Sequence, residues 1–135
     1  MKPYVANKDE LTEYESPPPF ARFAKVLVDP DHIRGAKLSI GVFRYAPGQV
    51  GPAHTHKNEV EVYYVLRGRG TVRVGDETVE MREGTAVYVP ETVEHETRNT
   101  GDGELEFLGI FAPAVGLHDV KERWTARPPR KGATK

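Results

Sequence analysis

Short runs rich in β-branched and aromatic residues, separated by turn-forming residues, dominate the middle of this chain. The runs are ARFAKVLVD, AKLSIGVFRYA, EVEVYYVLRG, TVRVGDETVEM, TAVYVP, EHETRN and ELEFLGIFA. Between them lie sequences such as DPDH, APG, RGRG and REG, which favour reversal of the chain. No segment keeps a 3.6-residue apolar period over three helical turns. Many short strands at this spacing predict an all-β sandwich or barrel.

Two local patterns refine this prediction. TVRVGDETVEM alternates on both sides of Gly75 and Asp76, which predicts two antiparallel strands joined by a tight turn. LHDVKERW, near the C-terminus, is the one candidate for a helix, of a turn or two.

The two ends of the chain differ from the middle. Residues 1–20 end in ESPPPF, and consecutive prolines favour an extended conformation without backbone donors, so we expect an N-terminal arm. A β-barrel domain is predicted for residues 21–115 and a C-terminal tail for residues 116–135. The tail ends in RPPRKGATK, a basic cluster that we interpret as a solvated, disordered end and not as a nucleic-acid-binding tail.

Composition narrows the function classes. The 135 residues fit one domain and include no cysteine, which excludes disulfides, thiolate metal sites and cysteine nucleophiles. The 19 basic and 20 acidic residues lack the basic excess of a nucleic-acid-binding protein. No apolar run approaches the roughly 18–20 residues that span a bilayer, and the polar, acidic start is unlike a signal peptide. We predict a cytoplasmic protein with no nucleic-acid or membrane partner.

Three histidines and a glutamate form the candidate site. His54 and His56 lie on one face of an extended segment, because alternate residues of a strand point the same way. Glu61 follows shortly after, and His95 lies beyond three further strand runs. Imidazoles with one carboxylate suit a divalent first-row transition metal. The H-x-H pair alone leaves surface and packing roles open; spacing and strand parity favour Glu61 over Glu59 as the carboxylate ligand.

Two separate motifs connect these residues to a known family. Residues 48–68, GQVGPAHTHKNEVEVYYVLRG, resemble the first cupin motif, G-x5-H-x-H-x(3,4)-E-x6-G. Residues 84–99, GTAVYVPETVEHETRN, resemble the second motif, G-x5-P-x-G-x2-H-x3-N. The matching positions are Gly48, His54, His56, Glu61, Gly68, Gly84, Pro90, His95 and Asn99. With the flanking strands, the resemblance extends over about residues 21–112.

One position departs from the second motif. Thr92 replaces its internal glycine, so we expect the PETVEH turn to form without a residue suited to positive φ.

The resemblance implies a fold and a metal site. The fold is an antiparallel jelly-roll barrel in which His54, His56, Glu61 and His95 meet and hold one divalent transition metal per chain, such as Mn, Fe, Ni, Zn or Cu. Four protein ligands leave positions open on an octahedral ion, which is typical of catalytic or ligand-binding sites.

Further site residues follow from strand alternation. Tyr63, Val65 and Phe107 are expected to face inward and to line the pocket, although core packing is the simpler role for each. Asn99 closes the second motif and is expected to form hydrogen bonds behind the ligands.

Several functions remain open from the sequence. The favoured hypothesis is an enzyme acting on a small organic molecule at the metal, with dioxygenase-like chemistry suggested by the apolar, aromatic lining. The alternatives are a metal-dependent isomerase or decarboxylase, a non-catalytic module that binds a sugar or an organic acid, and a metal-stabilised scaffold. We also predict a homodimer, in which the ESPPPFARFAKVLV arm adds a strand to the neighbour's sheet edge.

Overall fold

The computed structural model of the chain describes residues 2–129. A short 3-10 helix, Lys8–Glu10, precedes the first strand. The remaining elements are β1 (Glu13–Glu15), β2 (Phe23–Val28), β3 (Ser39–Tyr45), β4 (Val60–Arg67), β5 (Arg69–Val74), β6 (Glu77–Arg82), β7 (Ala86–Val89), β8 (His95–Asn99), β9 (Leu105–Ala112), α1 (His118–Arg123) and β10 (Thr125–Arg127). Residues 130–135 lie outside the described part of the chain, so their disorder stays a prediction.

The strands form two antiparallel sheets. The larger sheet has the order β10-β1-β2-β3-β9-β4-β7, and the smaller has the order β6-β5-β8. Strands distant in sequence lie side by side, since β9 pairs with both β3 and β4. This arrangement confirms the predicted all-β antiparallel jelly-roll barrel. The hairpin around Gly75 is confirmed as β5 and β6, and the short helix near the C-terminus as α1.

The barrel interior follows the alternation of the strands. On β4, Glu61, Tyr63 and Val65 point inward and are buried, whereas Tyr64 points outward and is exposed. On β9, Leu105, Phe107 and Phe111 point inward and are buried. The main core cluster joins side chains of both sheets: Tyr45, Tyr63, Val65, Val72, Met81, Val89, Leu105 and Phe107. Burying these apolar side chains is the main force that closes the barrel.

The two ends of the chain contribute structure beyond the expected arm and tail. Strand β1 lies in the arm and pairs with β2 on one side and β10 on the other, so the arm joins the sheet of its own chain. Strand β10 lies in the segment assigned to the tail. Both strands are only three residues long, and their pairing with each other joins opposite ends of the chain. Such pairing leaves no local pattern that a single sequence displays.

Gly68 closes the first motif at a position that only glycine can occupy. Its φ is 81°, and a Cβ atom there would lie 2.2 Å from the carbonyl oxygen of Glu104. The chain therefore turns from β4 into β5 with its backbone pressed against the β9 side of the barrel.

Candidate metal centre

The four residues of the predicted metal set come together inside the barrel. His54 and His95 form an isolated antiparallel bridge, in which each backbone N–H donates to the other's carbonyl oxygen at 3.0 Å. His95 begins β8, and Glu61 is the second residue of β4. The bridge brings the two motifs together, because each motif supplies one of its two residues.

The side chains of this set converge on one point. One potential ligand atom from each of His54, His56, Glu61 and His95 lies within 4.8 Å of the others. The Nε2 atoms of His56 and His95 are each 3.2 Å from Oε1 of Glu61. His95 and Glu61 are buried, at 0% and 3% exposure, while His54 is exposed and lies at the open side of the cluster. These residues could hold a metal ion.

The Nδ1 atoms of the three histidines contact oxygen atoms outside the cluster. Nδ1 of His54 lies 2.8 Å from the carbonyl oxygen of Pro52, and Nδ1 of His95 lies 3.0 Å from that of Val93. Nδ1 of His56 lies 3.1 Å from Oε1 of Glu59. Because each Nδ1–H can donate to its oxygen, Nε2 is the ring atom that is available to a metal. A metal ion would take the place of the hydrogen bonds that join the Nε2 atoms of His56 and His95 to Glu61. Nδ1 contacts of this kind orient histidine ligands of metals, so the donor set fits a divalent transition metal.

The contacts of His56 also distinguish the two candidate carboxylates. Glu61 faces the Nε2 atoms inside the cluster, whereas Glu59 contacts the opposite ring nitrogen of His56. Glu59 therefore occupies a supporting position behind a ligand.

Interactions within the cluster shift the pKa values of Glu61, His56 and Tyr63. Burial raises the pKa of Glu61, but the hydrogen bonds with His56 and His95 outweigh burial and hold the pKa below its usual value. The contact with Glu61 in turn raises the pKa of His56. Burial raises the pKa of the nearby Tyr63 phenol well above its ordinary value, and the Glu61 charge adds to this. The carboxylate is thus ready to bind a cation, and Tyr63 stays protonated as a hydrogen-bond donor.

The turn before His95 corrects one expectation. The PETVEH turn was expected to form without a residue suited to positive φ, yet Thr92 itself has a φ of 68°, the left-handed region that the motif's glycine would occupy. Its backbone N–H donates to the carbonyl oxygen of His56 at 2.7 Å, which connects the turn to the first motif. The expectation was wrong because the tertiary hydrogen bond and the barrel closure outweigh the steric cost of a β-branched residue there.

The cluster opens into a cavity of about 270 Å³. Tyr63 and Phe107 line this cavity, as expected, and their rings meet edge to face with centroids 5.2 Å apart. Val65 lies in the main core cluster, 1% exposed, and is not among the residues that line the cavity. Strand alternation predicted the inward direction of Val65, whereas its depth along β4 depends on the tertiary packing.

Asn99 supports the loops around the site. Its side-chain amide donates to the carbonyl oxygens of Tyr45 and Gly103, both at 2.9 Å, and its side-chain oxygen accepts from the N–H of Gly101. These partners are backbone groups at the end of β3 and in the turn after β8. Asn99 therefore stabilises the backbone near the cavity and does not contact the ligands' ring nitrogens directly.

Several residues that line the cavity were absent from the sequence interpretation, among them Thr97, Tyr45, Arg22 and Trp124. Thr97 lies two residues after His95 on β8, so strand alternation could have placed it on the same face. Its hydroxyl is 2.6 Å from the hydroxyl of Tyr45 on β3. Arg22 and Trp124 come from opposite ends of the chain and also line the cavity. Arg22 lies at the start of the predicted strand run ARFAKVLVD, so alternation could have given its direction. Its place in the cavity, and that of Trp124, depend on the pairing of the terminal segments.

Together these features define a β-barrel protein of the jelly-roll class with a histidine-glutamate cluster that could bind a metal. Residues 41–111 match the model of the cupin domain, which is more than half of the chain. The chain belongs to the cupin family, as its two motifs predicted.

Relatives of known sequence or structure support this placement. A glucose-6-phosphate isomerase of Pyrococcus horikoshii is 33% identical to this chain, over 88% of this chain and 69% of the isomerase. An oxalate-binding protein of Thermotoga maritima is 33% identical over 48% of this chain and 54% of that protein. The crystal structure of a predicted oxalate decarboxylase from Thermotoga maritima shares the fold, with a TM-score of 0.75 and 22% identity, covering 82% of this chain and 99% of that chain.

Within residues 2–129, no helix has the length and apolar character needed to cross a membrane.

Proposed function

We propose that the protein is a metal-dependent enzyme that acts on a small organic molecule, with His54, His56, Glu61 and His95 as the ligands of one divalent transition metal. The observation that carries this proposal is the convergence of three Nε2 atoms and one carboxylate at the side of an accessible cavity. A metal that only stabilises a fold is enclosed by its ligands. A site beside a cavity leaves room for a substrate at the open positions of the ion.

The residues of the chain have distinct parts in this function. A divalent metal, when bound, supplies Lewis-acid polarisation or activation of oxygen. Pro52, Val93 and Glu59 orient the three histidines through their Nδ1 atoms. The aromatic rings of Tyr63 and Phe107 exclude water from one side of the cavity. The Tyr63 hydroxyl remains protonated, and its hydrogen bond to Glu61 helps to orient that carboxylate.

Two reaction classes are proposed for this site. Dioxygenase-like chemistry is favoured by the aromatic cavity wall, in which the Phe43 and Phe107 rings stack 5.7 Å apart. Isomerisation of a sugar phosphate is favoured by the likeness to the Pyrococcus isomerase, which extends over most of both chains. Decarboxylation of a small acid remains a third reaction that the same open metal site can support.

The metal itself is tested by elemental analysis. The purified protein and its His54→Ala/His56→Ala double variant are incubated with Mn, Fe, Ni, Zn and Cu salts and desalted. We expect close to one equivalent of metal in the unaltered protein and little in the variant. Equal metal content in both proteins would contradict the proposal.

The reaction class is tested with the loaded protein. Oxygen uptake is measured with catechols and flavonols, and conversion of glucose 6-phosphate to fructose 6-phosphate is measured in parallel. Turnover that depends on metal in one of these assays assigns the class, and the double variant serves as the inactive control.

A non-catalytic binding protein is the second candidate function. It is favoured by the likeness to the oxalate-binding protein of Thermotoga maritima, although that likeness extends over only about half of each chain. Binding of oxalate by the metal-loaded protein, measured by calorimetry and without any consumption of oxalate, would support this candidate.

We further propose a homodimer. Strand β1 is already paired on both sides within its own chain, so a second copy is expected to use another surface. The outer face of β4 and β7 carries Tyr64 and Tyr88, which are 41% and 61% exposed. Burying these rings removes apolar surface from water. Light scattering should give twice the chain mass of 15.1 kDa, and Tyr88→Glu should lower it; a monomer mass for the unaltered protein would contradict the dimer.

A further inference from the structure

Arg22 is a charged residue of the cavity that the metal site does not use. It precedes β2 and lines the same cavity as His54, His56 and Glu61. Sequence patterns did not indicate it, and the proposed metal function leaves its positive charge unexplained.

The position of the guanidinium group is restrained from two sides. Nε of Arg22 donates to the carbonyl oxygen of Phe20 at 2.8 Å. Its Cζ lies 4.9 Å from the centroid of the Trp124 ring, within the range of a cation–π contact. These contacts involve Nε and the face of the group. Arg22 also interacts with the Tyr45 hydroxyl through a side-chain hydrogen bond. The remaining N–H groups of the two terminal nitrogens are left as donors.

Among the described side chains, those of residues 2–117 and 120–129, no carboxylate forms an ion pair with Arg22. Other arginines of the barrel are paired with glutamates: Arg44 with Glu13 and Arg67 with Glu104. Arg22 is half-buried beside an apolar wall. A cation in such a place has lost part of its hydration without gaining an opposite charge, which is unfavourable unless an anion binds.

Neutral donors complete the surroundings of Arg22. The hydroxyls of Tyr45 and Thr97 lie together on the cavity wall, 2.6 Å apart. Burial raises the pKa of Tyr45, and the Thr97 hydroxyl and the Arg22 charge partly offset this. A Cβ atom on Gly51 would lie 2.5 Å from the Tyr45 hydroxyl oxygen, so the absence of a side chain at this position keeps the hydroxyl pair in place.

We propose that the ligand of this cavity is a small organic anion whose carboxylate or phosphoryl group pairs with Arg22 while another part of the molecule faces the histidine-glutamate cluster. Planar guanidinium groups bind both kinds of oxyanion through paired hydrogen bonds. The apolar wall, which includes Phe43, Phe107 and Trp124, accommodates the body of the molecule. This inference rests on the proposed function only in taking the cavity as the substrate site.

Trp124 provides a direct measurement of binding, because it is the one tryptophan of the chain and lies against Arg22. Its fluorescence is titrated with benzoate and with its neutral counterpart benzyl alcohol, and separately with phenyl phosphate and phenol. Each titration is made on zinc-loaded and on metal-free protein. We expect one anion to bind at least about tenfold more tightly than its neutral counterpart, as a charge-assisted hydrogen bond predicts.

Variants assign this preference to Arg22. Arg22→Gln should weaken binding of the preferred anion about tenfold or more and leave binding of the neutral counterpart within about twofold. The matched control is Arg82→Gln, which removes an exposed arginine of β6 outside the cavity and should change neither affinity. Retained affinity for the neutral compound and unchanged zinc content show that Arg22→Gln is folded.

The outcomes separate this inference from the proposed function. Equal affinity for anions and neutral compounds, or an Arg22→Gln variant that keeps full anion affinity, would overturn the inference even if zinc binds. Loss of binding to every compound would likewise overturn it. Absence of metal uptake with an Arg22-dependent preference intact would overturn the metal function and leave the anion site standing. The anion that binds more tightly, benzoate or phenyl phosphate, shows whether the cavity prefers a carboxylate or a phosphoryl group.

Discussion

At the scale of single residues, the site is organised by which nitrogen of each histidine faces inward. Two backbone carbonyls and Glu59 accept from the Nδ1 atoms, so the Nε2 atoms face the Glu61 carboxylate. A misdirected ring would present an N–H instead of a lone pair to a metal. The local backbone at His54 and His95 therefore contributes as much to the site as the choice of histidine.

The two carboxylates near His56 are expected to differ in their effect on metal binding. Glu59→Ala removes the partner of Nδ1 and should weaken metal affinity about 10–100-fold, the usual effect of losing such a supporting contact. Glu61→Ala removes a proposed ligand and should weaken it further. Competition against a chelator of known affinity measures both variants. Equal losses, or a greater loss for Glu59→Ala, would show that the two roles are assigned wrongly.

Thr92 is expected to be a strained residue. Its φ of 68° costs a residue with a Cβ atom about 1–2 kcal/mol, and glycine avoids this cost. Thr92→Gly should therefore raise the free energy of unfolding by about 1 kcal/mol, after part of the gain is offset by the greater freedom of glycine in the unfolded chain.

Urea unfolding of the metal-free protein measures this change. The matched control is Thr78→Gly on β6, an exposed strand position, which should lower the free energy of unfolding. If both glycine variants were destabilised to the same extent, the strain at Thr92 would be refuted.

At the scale of secondary-structure elements, α1 forms one wall of the cavity and is attached to the barrel by Lys121. The residues flanking α1, Leu117 and Trp124, line the cavity. Nζ of Lys121 lies 2.5 Å from Oδ2 of Asp29 and 2.6 Å from Oδ2 of Asp31, in the loop after β2. This ion pair connects a helix of barely two turns, too short to be stable alone, to the sheet.

Removing this attachment is expected to destabilise the protein in a pH-dependent way. Burial raises the pKa of Asp29, but hydrogen bonds from Lys121 and His32 outweigh it and keep the pKa below 3.8. The carboxylate is fully buried, so Lys121→Met should cost about 1–3 kcal/mol at pH 7. Because the pKa of Asp29 is lower in the folded protein than its value of 3.8 in the unfolded chain, its charge stabilises the fold at pH values above 3.8. This contribution is lost as the pH falls through the lowered pKa.

Urea unfolding at pH 7 and near pH 3 measures this effect. The difference between the unaltered protein and Lys121→Met should be larger at pH 7 than near pH 3, because the contribution of the Asp29 charge declines as the pH falls below 3.8. Lys37→Met removes an exposed lysine and serves as the control, with little expected change at either pH. A difference that does not depend on pH would contradict the role of the Asp29 charge.

At the scale of the whole molecule, the histidine-glutamate cluster joins the two sheets. Glu61 belongs to the seven-stranded sheet and His95 to the three-stranded sheet, while His54 and His56 lie in the connection between β3 and β4. An ion held by all four residues therefore links both layers of the barrel. Binding to the folded chain alone stabilises it by mass action.

Metal loading is expected to raise the melting temperature. At free zinc about 100 times the dissociation constant, stabilisation is about 2.7 kcal/mol, which corresponds to a shift on the order of 10 °C for a chain of this size. Thermal unfolding followed by circular dichroism measures the shift, and excess chelator should reverse it. The His54→Ala/His56→Ala variant should show no shift; an equal rise in both proteins would place the zinc elsewhere.

The sequence alone determined the fold class and the set of clustered residues. Strand alternation placed Glu61, Tyr63 and Phe107 on the inner face, because side-chain direction in a strand depends only on parity. The two motifs named four residues that the structure brings together, since each motif specifies a short segment whose geometry is local. Turn residues such as Gly68 were equally readable, because positive φ is a property of one residue.

Which distant segments of the chain come into contact depends on the tertiary structure and not on local sequence pattern. Arg22 and Trp124 reach the cavity because β1 pairs both with the neighbouring β2 and with β10 near the C-terminus, which brings the two ends of the chain together. The supporting position of Glu59 and the strained turn at Thr92 also depend on contacts across the barrel. The physical reason is that packing and hydrogen bonds between remote segments select among locally allowed conformations. Local sequence patterns identified the proposed metal ligands. The closure of the barrel placed the positively charged side chain of Arg22 beside them.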